Sequence, residues 1–203
     1  MLAFGLVAGT AMAQYQMAPA GAPPQTLPAP VAAALEAHGF QISAPGGKVY
    51  CQIWPAKSFA TGKNTEEGVT LPTIAHGALL GVVEFPANGA DRRGNTIKPG
   101  IYSMRYSLYP ADGNHMGVAP QRDFVVLIPV AQDSAPDAVP SYDELIALSR
   151  KTTGLPHPAV LSLYPSSLET LPGFQKEGDH DWVLHVKING VAIAIIVVGK
   201  AEG

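Results

Sequence analysis

The chain of 203 residues has little charge, one cysteine and no long apolar run, and each shortage excludes a class of protein. Only 14% of the residues are charged, and the Lys and Arg residues are scattered, so the sequence lacks the clustered positive surface that nucleic-acid binding needs. The single Cys51 cannot form an intramolecular disulfide or a cysteine-based zinc site, and its place in a predicted strand favours a buried thiol. The apolar run at 191–198 has strand length and is too short to cross a bilayer, which takes ~20 residues.

Sequence motifs for known reactions are also missing. There is no Gly-x-Ser-x-Gly nucleophile elbow, no His-Glu-x-x-His zinc motif and no glycine-rich phosphate or dinucleotide loop. Ser166 and Ser167 follow Pro165 in a predicted turn, and we interpret them as ordinary turn residues. The sequence therefore favours a non-enzymatic protein.

The N-terminal residues have the pattern of a secretory leader. An apolar run at 2–12 ends in Ala11-Met12-Ala13, which has the small residues of a signal-peptidase site. We predict a signal peptide over residues 1–13, a mature start at Gln14 and a location in the periplasm or outside the cell. Because no Lys or Arg precedes the run, we expect the leader to begin upstream of Met1. The alternative is a buried N-terminal helix.

Residues 14–39 are predicted to form a linker and a short helix. The stretch 18–30 is rich in Pro and Ala and carries no charge, which is typical of extended polyproline II chain. Residues 31–38 then predict a helix that ends at Gly39.

Residues 40–203 predict one antiparallel, β-sandwich-like domain with one or two short helices. The combination of low charge with 21 Gly and 19 Pro favours a turn-rich β protein, because helix surfaces usually take up Glu, Lys and Arg. Residues 101–109 alternate as in a half-buried antiparallel strand. Tyr102, Met104, Tyr106 and Leu108 fall on one face of this strand, and Ser103, Arg105 and Ser107 fall on the other.

Two further elements have specific signals. Residues 181–188 and 191–198 flank Asn189-Gly190, the favoured pair for a type I′ turn, and so predict a β-hairpin. Ser141 and Glu144 have capping-box spacing and predict a helix over 141–151.

The loop at 110–123 is the most plausible site in the sequence. His115 and Met116 are copper-type ligands and predict a metal site in a periplasmic protein. Oxygens of Asp112, Asn114 and Asp123 are an alternative calcium set, although the spacing does not match an EF-hand. A third interpretation is a partner-binding loop, whose candidate residues are Asp112, Asn114, Arg122 and Asp123. The remaining interpretation is that the loop is an ordinary exposed turn.

A second histidine group, at 179–185, is less favourable for metal. His180 and His185 are five residues apart, so on one continuous strand they point to opposite faces. His185 shares its face with Lys187, and we therefore expect it to face solvent.

Residues 98–106 read KPGIYSMRY, and the continuation carries DGNHMG at 112–117 and RDF at 122–124. This P-x-G-x-Y strand start followed by a D-G-x-H-M-G loop resembles uncharacterised exported bacterial β-sandwich proteins. The resemblance covers residues 95–130 and implies an exported β-sandwich; it implies no catalytic residue.

Three functions follow as hypotheses. The first is an exported, non-enzymatic binding or structural protein, such as an accessory subunit that contacts another envelope protein; it predicts an exposed apolar patch. The second is a periplasmic copper-type binding protein that uses the 110–123 loop. The third is a hydrolase or isomerase, which needs a nucleophile or an acid–base pair at hydrogen-bond distance.

Overall fold

The structure is a computed structural model that describes residues 14–111 and 121–201. The predicted leader and four of the predicted site residues, Asp112, Asn114, His115 and Met116, lie outside the described residues. Within these ranges the chain forms two α-helices, α1 (Ala29–Ala34) and α2 (Tyr142–Thr153), and twelve strands. The strands are β1 (Gln16–Ala20), β2 (Gly39–Ser43), β3 (Val49–Pro55), β4 (Leu79–Phe85), β5 (Gly89–Ala90), β6 (Thr96–Ile97), β7 (Gly100–Leu108), β8 (Asp123–Pro129), β9 (Ala159–Pro165), β10 (Gly173–Glu177), β11 (Asp181–Ile188) and β12 (Val191–Val198).

Ten of these strands form one antiparallel sheet in the order β1-β2-β3-β4-β7-β8-β9-β12-β11-β10, and β5 pairs separately with β6. The sheet curls until it is nearly barrel-shaped. The prediction of a mainly β, antiparallel single domain with one or two short helices is confirmed. None of the helices among the described residues is long and apolar enough to cross a membrane.

The curled sheet encloses one main core, and strands near both ends of the sheet contribute side chains to it. Cys51 and Ile53 of β3 and Leu184 and Val186 of β11 belong to the same buried cluster. Tyr15, just before β1, places its ring 5.8 Å from that of Tyr50 and 5.7 Å from that of Trp182. The N-terminal aromatic ring therefore spans the gap between the two ends of the sheet.

The segment predicted to be a linker is part of the folded body. β1 adds an edge strand to β2, and Ala20, Leu27, Val31 and Leu35 pack in a second buried cluster with Trp54. Proline is tolerated in this segment because an edge strand leaves one row of backbone N–H groups unpaired.

Helix α1 also differs from its predicted range of 31–38. It begins two residues earlier and ends at Ala34, because the next residues turn into extended chain. Leu35 forms a β-bridge with Ala56, and Glu36 N donates to Pro55 O at 2.8 Å. Gly39 is consequently a strand residue, where a side chain would collide with the Trp54 ring, rather than a helix end.

The hairpin and the second helix are confirmed. β11 and β12 pair through the turn at Asn189 and Gly190, and both turn residues have the positive φ that type I′ requires. α2 begins with a capping box between Ser141 and Glu144. It ends at Gly154, which has a left-handed φ of 72°.

Strand β7 is buried on both faces, not on one. Ser103, Arg105 and Ser107 are each at most 1% exposed, although their face of the strand carries polar side chains. The 133–140 segment lies against this face, since four of its residues bond the Arg105 side chain. Helix α2 packs beside it, on β8 and β9, and Ser149 and Thr152 of the helix donate to the Leu127 carbonyl. Sequence alternation assigns residues to faces correctly here but does not show that other chain segments cover both faces.

Candidate binding cleft

A cleft of about 380 Å³ lies where β7 ends and β8 begins. It is lined by Asn64, Glu66, His76, Leu108, Pro110, Arg122 and Tyr142. Its volume is at the lower end of the range of about 300–1,000 Å³ typical of small-molecule sites. Three of its walls come from segments outside the sheet, at 64–71, at 76–78 and at 138–142, where α2 begins. Each of these segments is held to the sheet by a buried polar side chain.

The first tie is Arg105, whose side chain is fully buried. Its guanidinium donates from Nε and NH2 to the two carboxylate oxygens of Asp133 at 2.8 and 2.6 Å. It also donates to the carbonyls of Gly77 at 2.8 Å, Ala135 at 2.7 Å, and Ala138. The guanidinium can be buried because its charge is paired with Asp133 and its N–H groups are hydrogen-bonded. These bonds also fix the walls at 76–78 and 138–142 to β7.

The second tie is Asp123, which is 0% exposed. Its carboxylate accepts from Thr70 N and Thr70 Oγ1 at 2.8 Å each, from Leu71 N at 3.1 Å and from the Tyr106 hydroxyl at 2.7 Å. These bonds fix the first wall across more than fifty residues of sequence. Asp123 was predicted as a partner-binding residue, but its carboxylate is buried and fully engaged, so it acts as an anchor.

The third tie joins Ser107 to His76, with 2.9 Å between Ser107 Oγ and His76 Nε2. Burial lowers the pKa of His76 below its ordinary value, while a hydrogen bond to the Pro140 carbonyl and the charge of Glu66 oppose that shift. His76 is therefore neutral at neutral pH and presents an uncharged ring to the cleft.

The charged edge of the cleft is an ion pair between Arg122 and Glu66. Arg122 NH2 lies 2.8 Å from Glu66 Oε2, and the same guanidinium donates to the carbonyls of Tyr109 and Glu67 at 2.8 Å each. Gly68 turns the chain here with φ of 78°, and a side chain on it would approach Arg122 too closely. The Glu66 side chain is 59% exposed, so its carboxylate faces the solvent side of the cleft.

Of the two predicted loop residues that the structure describes, Arg122 lines the cleft with its side chain partly exposed. Asp123 is buried beneath it. No group of three His, Cys, Asp or Glu side chains in the described ranges is arranged to hold a metal ion. The copper-type ligands His115 and Met116 lie outside those ranges, so that metal site stays a prediction.

Sequence reasoning missed most of the cleft, including Asn64, Glu66 and Tyr142. Residues 56–68 are polar and look like a solvated loop, and nothing local indicates that Asp123 anchors the neighbouring residues 70 and 71. Two weak signals were present in the sequence. Residues 56–68 show no strand pattern, and β7 has a polar face; both are consistent with a long loop that is held against the sheet by polar side chains.

His185 is also placed differently from its prediction. It is 1% exposed rather than solvent-facing, and its ring lies between Ser166 and Glu177. Ser166 was predicted to lie in a turn, but it is half-buried and its backbone N–H donates to Ala192 O at 3.0 Å, so it continues the pairing of β9 with β12. Cys51, in contrast, is 0% exposed as expected, and burial raises the pKa of its thiol, which makes it unreactive.

Comparison with known protein families, curated proteins and solved structures finds no match to this chain.

Proposed function

We propose that the protein is an exported binding protein that takes a small, neutral, hydroxyl-rich ligand in the cleft beside Arg122. The observation that supports this is the convergence of three buried ties, Arg105, Asp123 and Ser107, on the walls of one cleft. Irregular segments held in this way are pre-organised, which reduces the entropy lost when a ligand binds. Loops fixed on a rigid sheet are a common place for recognition.

The chemistry of the cleft favours a neutral ligand. Glu66 and Arg122 neutralise each other, and the ring of His76 is uncharged at neutral pH. Asn64, Glu66 and Arg122 nevertheless provide both donors and acceptors, while Leu108 and Tyr142 provide apolar surface. A saccharide of one or two rings combines hydroxyl groups with apolar ring faces and fits this lining.

A permanent subunit contact is supported less well. Among the residues the structure describes, the large hydrophobic side chains that are exposed are Val139, at 53%, and Leu155, at 42%. A stable protein interface usually needs a larger apolar patch. The surface therefore supports a small ligand better than the role of an accessory subunit in an envelope assembly.

Export and copper binding remain predictions from the sequence. The leader pattern at 1–13 supports a periplasmic or extracellular location, which N-terminal sequencing of the mature protein tests directly. Copper binding by His115 and Met116 is tested by elemental analysis of the purified protein beside His115→Ala, with exposed His157→Ala as the control. Stoichiometric copper that is lost in His115→Ala but kept in His157→Ala would favour copper binding over saccharide binding.

The binding proposal is tested by two-dimensional NMR of the isotope-labelled protein. Hexoses, N-acetylated amino sugars and their disaccharides are added one at a time, and the amide shifts are mapped. We expect at least one saccharide to shift amides at 64–76 and 121–123 selectively. Shifts that centre on another face, or no shift with any saccharide at millimolar concentration, would overturn the proposal.

A further inference from the structure

A second group of polar side chains lies on the outer face of the sheet, away from the cleft. It consists of Ser166 after β9, Glu177 on β10 and His185 on β11. Ser166 Oγ lies 2.9 Å from His185 Nδ1, and Glu177 Oε1 lies 3.0 Å from His185 Nε2. The hydroxyl of Tyr164 donates to the other carboxylate oxygen of Glu177.

The local fold explains how these residues meet. Gly173 pairs with His185 across β10 and β11, and its missing side chain leaves space that the Leu168 side chain fills. Leu168 N also donates to Ser166 Oγ at 3.2 Å, which holds the hydroxyl in place. The His185 imidazole is shielded from water, while Ser166 remains partly exposed.

The carboxylate fixes which ring nitrogen carries the proton. Because Nε2 of His185 faces Glu177, the neutral ring is protonated on Nε2 and accepts at Nδ1. Ser166 is then the donor, and its hydroxyl proton points at a base. Glu177 lies off the ideal N–H direction of Nε2, an alignment that tightens in many nucleophilic sites only when substrate binds.

The ionisation states agree with this assignment. Burial lowers the pKa of His185, although the charge of Glu177 opposes the shift, so the ring is a free base at neutral pH. Burial would raise the pKa of Glu177, but hydrogen bonds from Tyr164 and Gln175 hold it below its ordinary value. The groups facing His185 are thus a hydroxyl on one side and an ionised carboxylate on the other.

We propose that Ser166 is an activated nucleophile that takes the acyl group of an ester, with His185 as general base and Glu177 as the residue that positions the base. The constellation is a serine–histidine–carboxylate site with the two ring nitrogens exchanged relative to the common arrangement. It is independent of the cleft and does not rest on the proposed binding function.

In the acylation step Ser166 Oγ attacks the carbonyl carbon while its proton moves to His185 Nδ1. The ester C–O bond then breaks, and that proton leaves with the alcohol. The product is an acyl ester on Ser166. Water then attacks the carbonyl carbon of this acyl ester and gives its proton to His185 Nδ1. The acyl C–O bond to Ser166 breaks, the proton returns to Ser166 Oγ, and the carboxylic acid is released.

The test is covalent labelling of the full protein with p-nitrophenyl acetate and with a fluorophosphonate reagent, located by peptide mass spectrometry. Ser167→Ala is the matched control, because Ser167 is the neighbouring exposed serine. We expect label on Ser166 in the wild type and in Ser167→Ala, and no label at that position in Ser166→Ala. Labelling of Ser166 should be at least about a hundredfold slower in His185→Gln, the lower range of general-base effects. Absence of label on Ser166, or equal label on both serines, would overturn the proposal.

The pH dependence of the labelling rate distinguishes activation of Ser166 by His185 from simple exposure of the Ser166 hydroxyl. We expect the labelling rate to rise through one ionisation below the ordinary histidine pKa of 6.5 and then reach a plateau. Because the Glu177 charge favours the protonated ring, Glu177→Gln should lower that inflection and slow labelling. A rate that climbs steadily with hydroxide concentration in both proteins would contradict the role of His185. His157→Gln, on an exposed histidine outside both sites, should leave labelling unchanged.

Discussion

Arg105 and Asp133 form a two-bond ion pair that is buried from solvent, and the same arginine donates to four backbone carbonyls of the segments that cover β7. A buried charge pair is costly to desolvate, so it contributes little net stability compared with an apolar packing. Its clearest effect here is geometric, because Arg105 sets the positions of the cleft walls at 76–78 and 138–142. Removing one partner should therefore reveal how strongly the walls depend on it.

Asp133→Asn should lower the free energy of unfolding by about 3–5 kcal/mol, because it leaves the Arg105 charge buried without its counter-ion. Urea denaturation measures this directly. Asp137→Asn, on an exposed residue of the same segment, should change stability by less than about 0.5 kcal/mol. Equal losses of unfolding free energy in the two variants would show that pairing with Asp133 is not what allows Arg105 to be buried.

Asp123→Asn should loosen the wall at 64–71 while the sheet stays folded. The amide side chain cannot accept all the bonds that Asp123 receives from Thr70, Leu71 and Tyr106. Hydrogen exchange of the Thr70 and Leu71 amides should become at least about tenfold faster, given a loss of roughly 1.4 kcal/mol or more in local stability. If those amides keep their wild-type protection, the wall is held by other contacts.

Stability should fall as the pH drops from 7 to 5. His76 and His185 both have folded-state pKa values below 6.5, so between those values and 6.5 the unfolded chain binds more protons than the folded chain. By linkage, stability in that window rises with pH, at a slope of at most about 1.4 kcal/mol per pH unit for each histidine. Thermal unfolding measured across this range checks the trend.

His76→Gln and His185→Gln should each flatten that pH dependence, while His157→Gln, on an exposed histidine, should not. Stability that is independent of pH between 5 and 7 in the wild-type protein would contradict the neutral, buried state assigned to both rings.

Local signals predicted much of the fold. The Asn189-Gly190 pair defined the last hairpin, and the spacing of Ser141 and Glu144 defined the start of α2, because both depend on residues within one turn. Curling of the sheet could not be predicted, since it depends on contacts such as Tyr15 with Trp182 that join distant parts of the chain.

The candidate cleft was only partly predictable for a related physical reason. Arg122 was identified because it belongs to a loop between two strong strands. Glu66 and His76 were not, because their positions depend on Asp123 and Ser107, which lie 31 or more residues away in sequence. Alternation in β7 likewise placed Arg105 on the correct face but could not show that the 133–140 segment buries it.

We propose that the Glu66–Arg122 edge of the cleft binds a neutral ligand. The most direct measurement is the affinity of Glu66→Gln and Glu67→Gln, side by side, by calorimetry for the saccharide that shifts the cleft amides. A hydrogen bond to a charged group contributes about 1.5–3 kcal/mol, so Glu66→Gln should weaken binding at least tenfold. Glu67→Gln, whose side chain is not part of the cleft lining, should bind within twofold of the wild type. Equal affinities in the two variants would contradict the assignment of the cleft as the binding site.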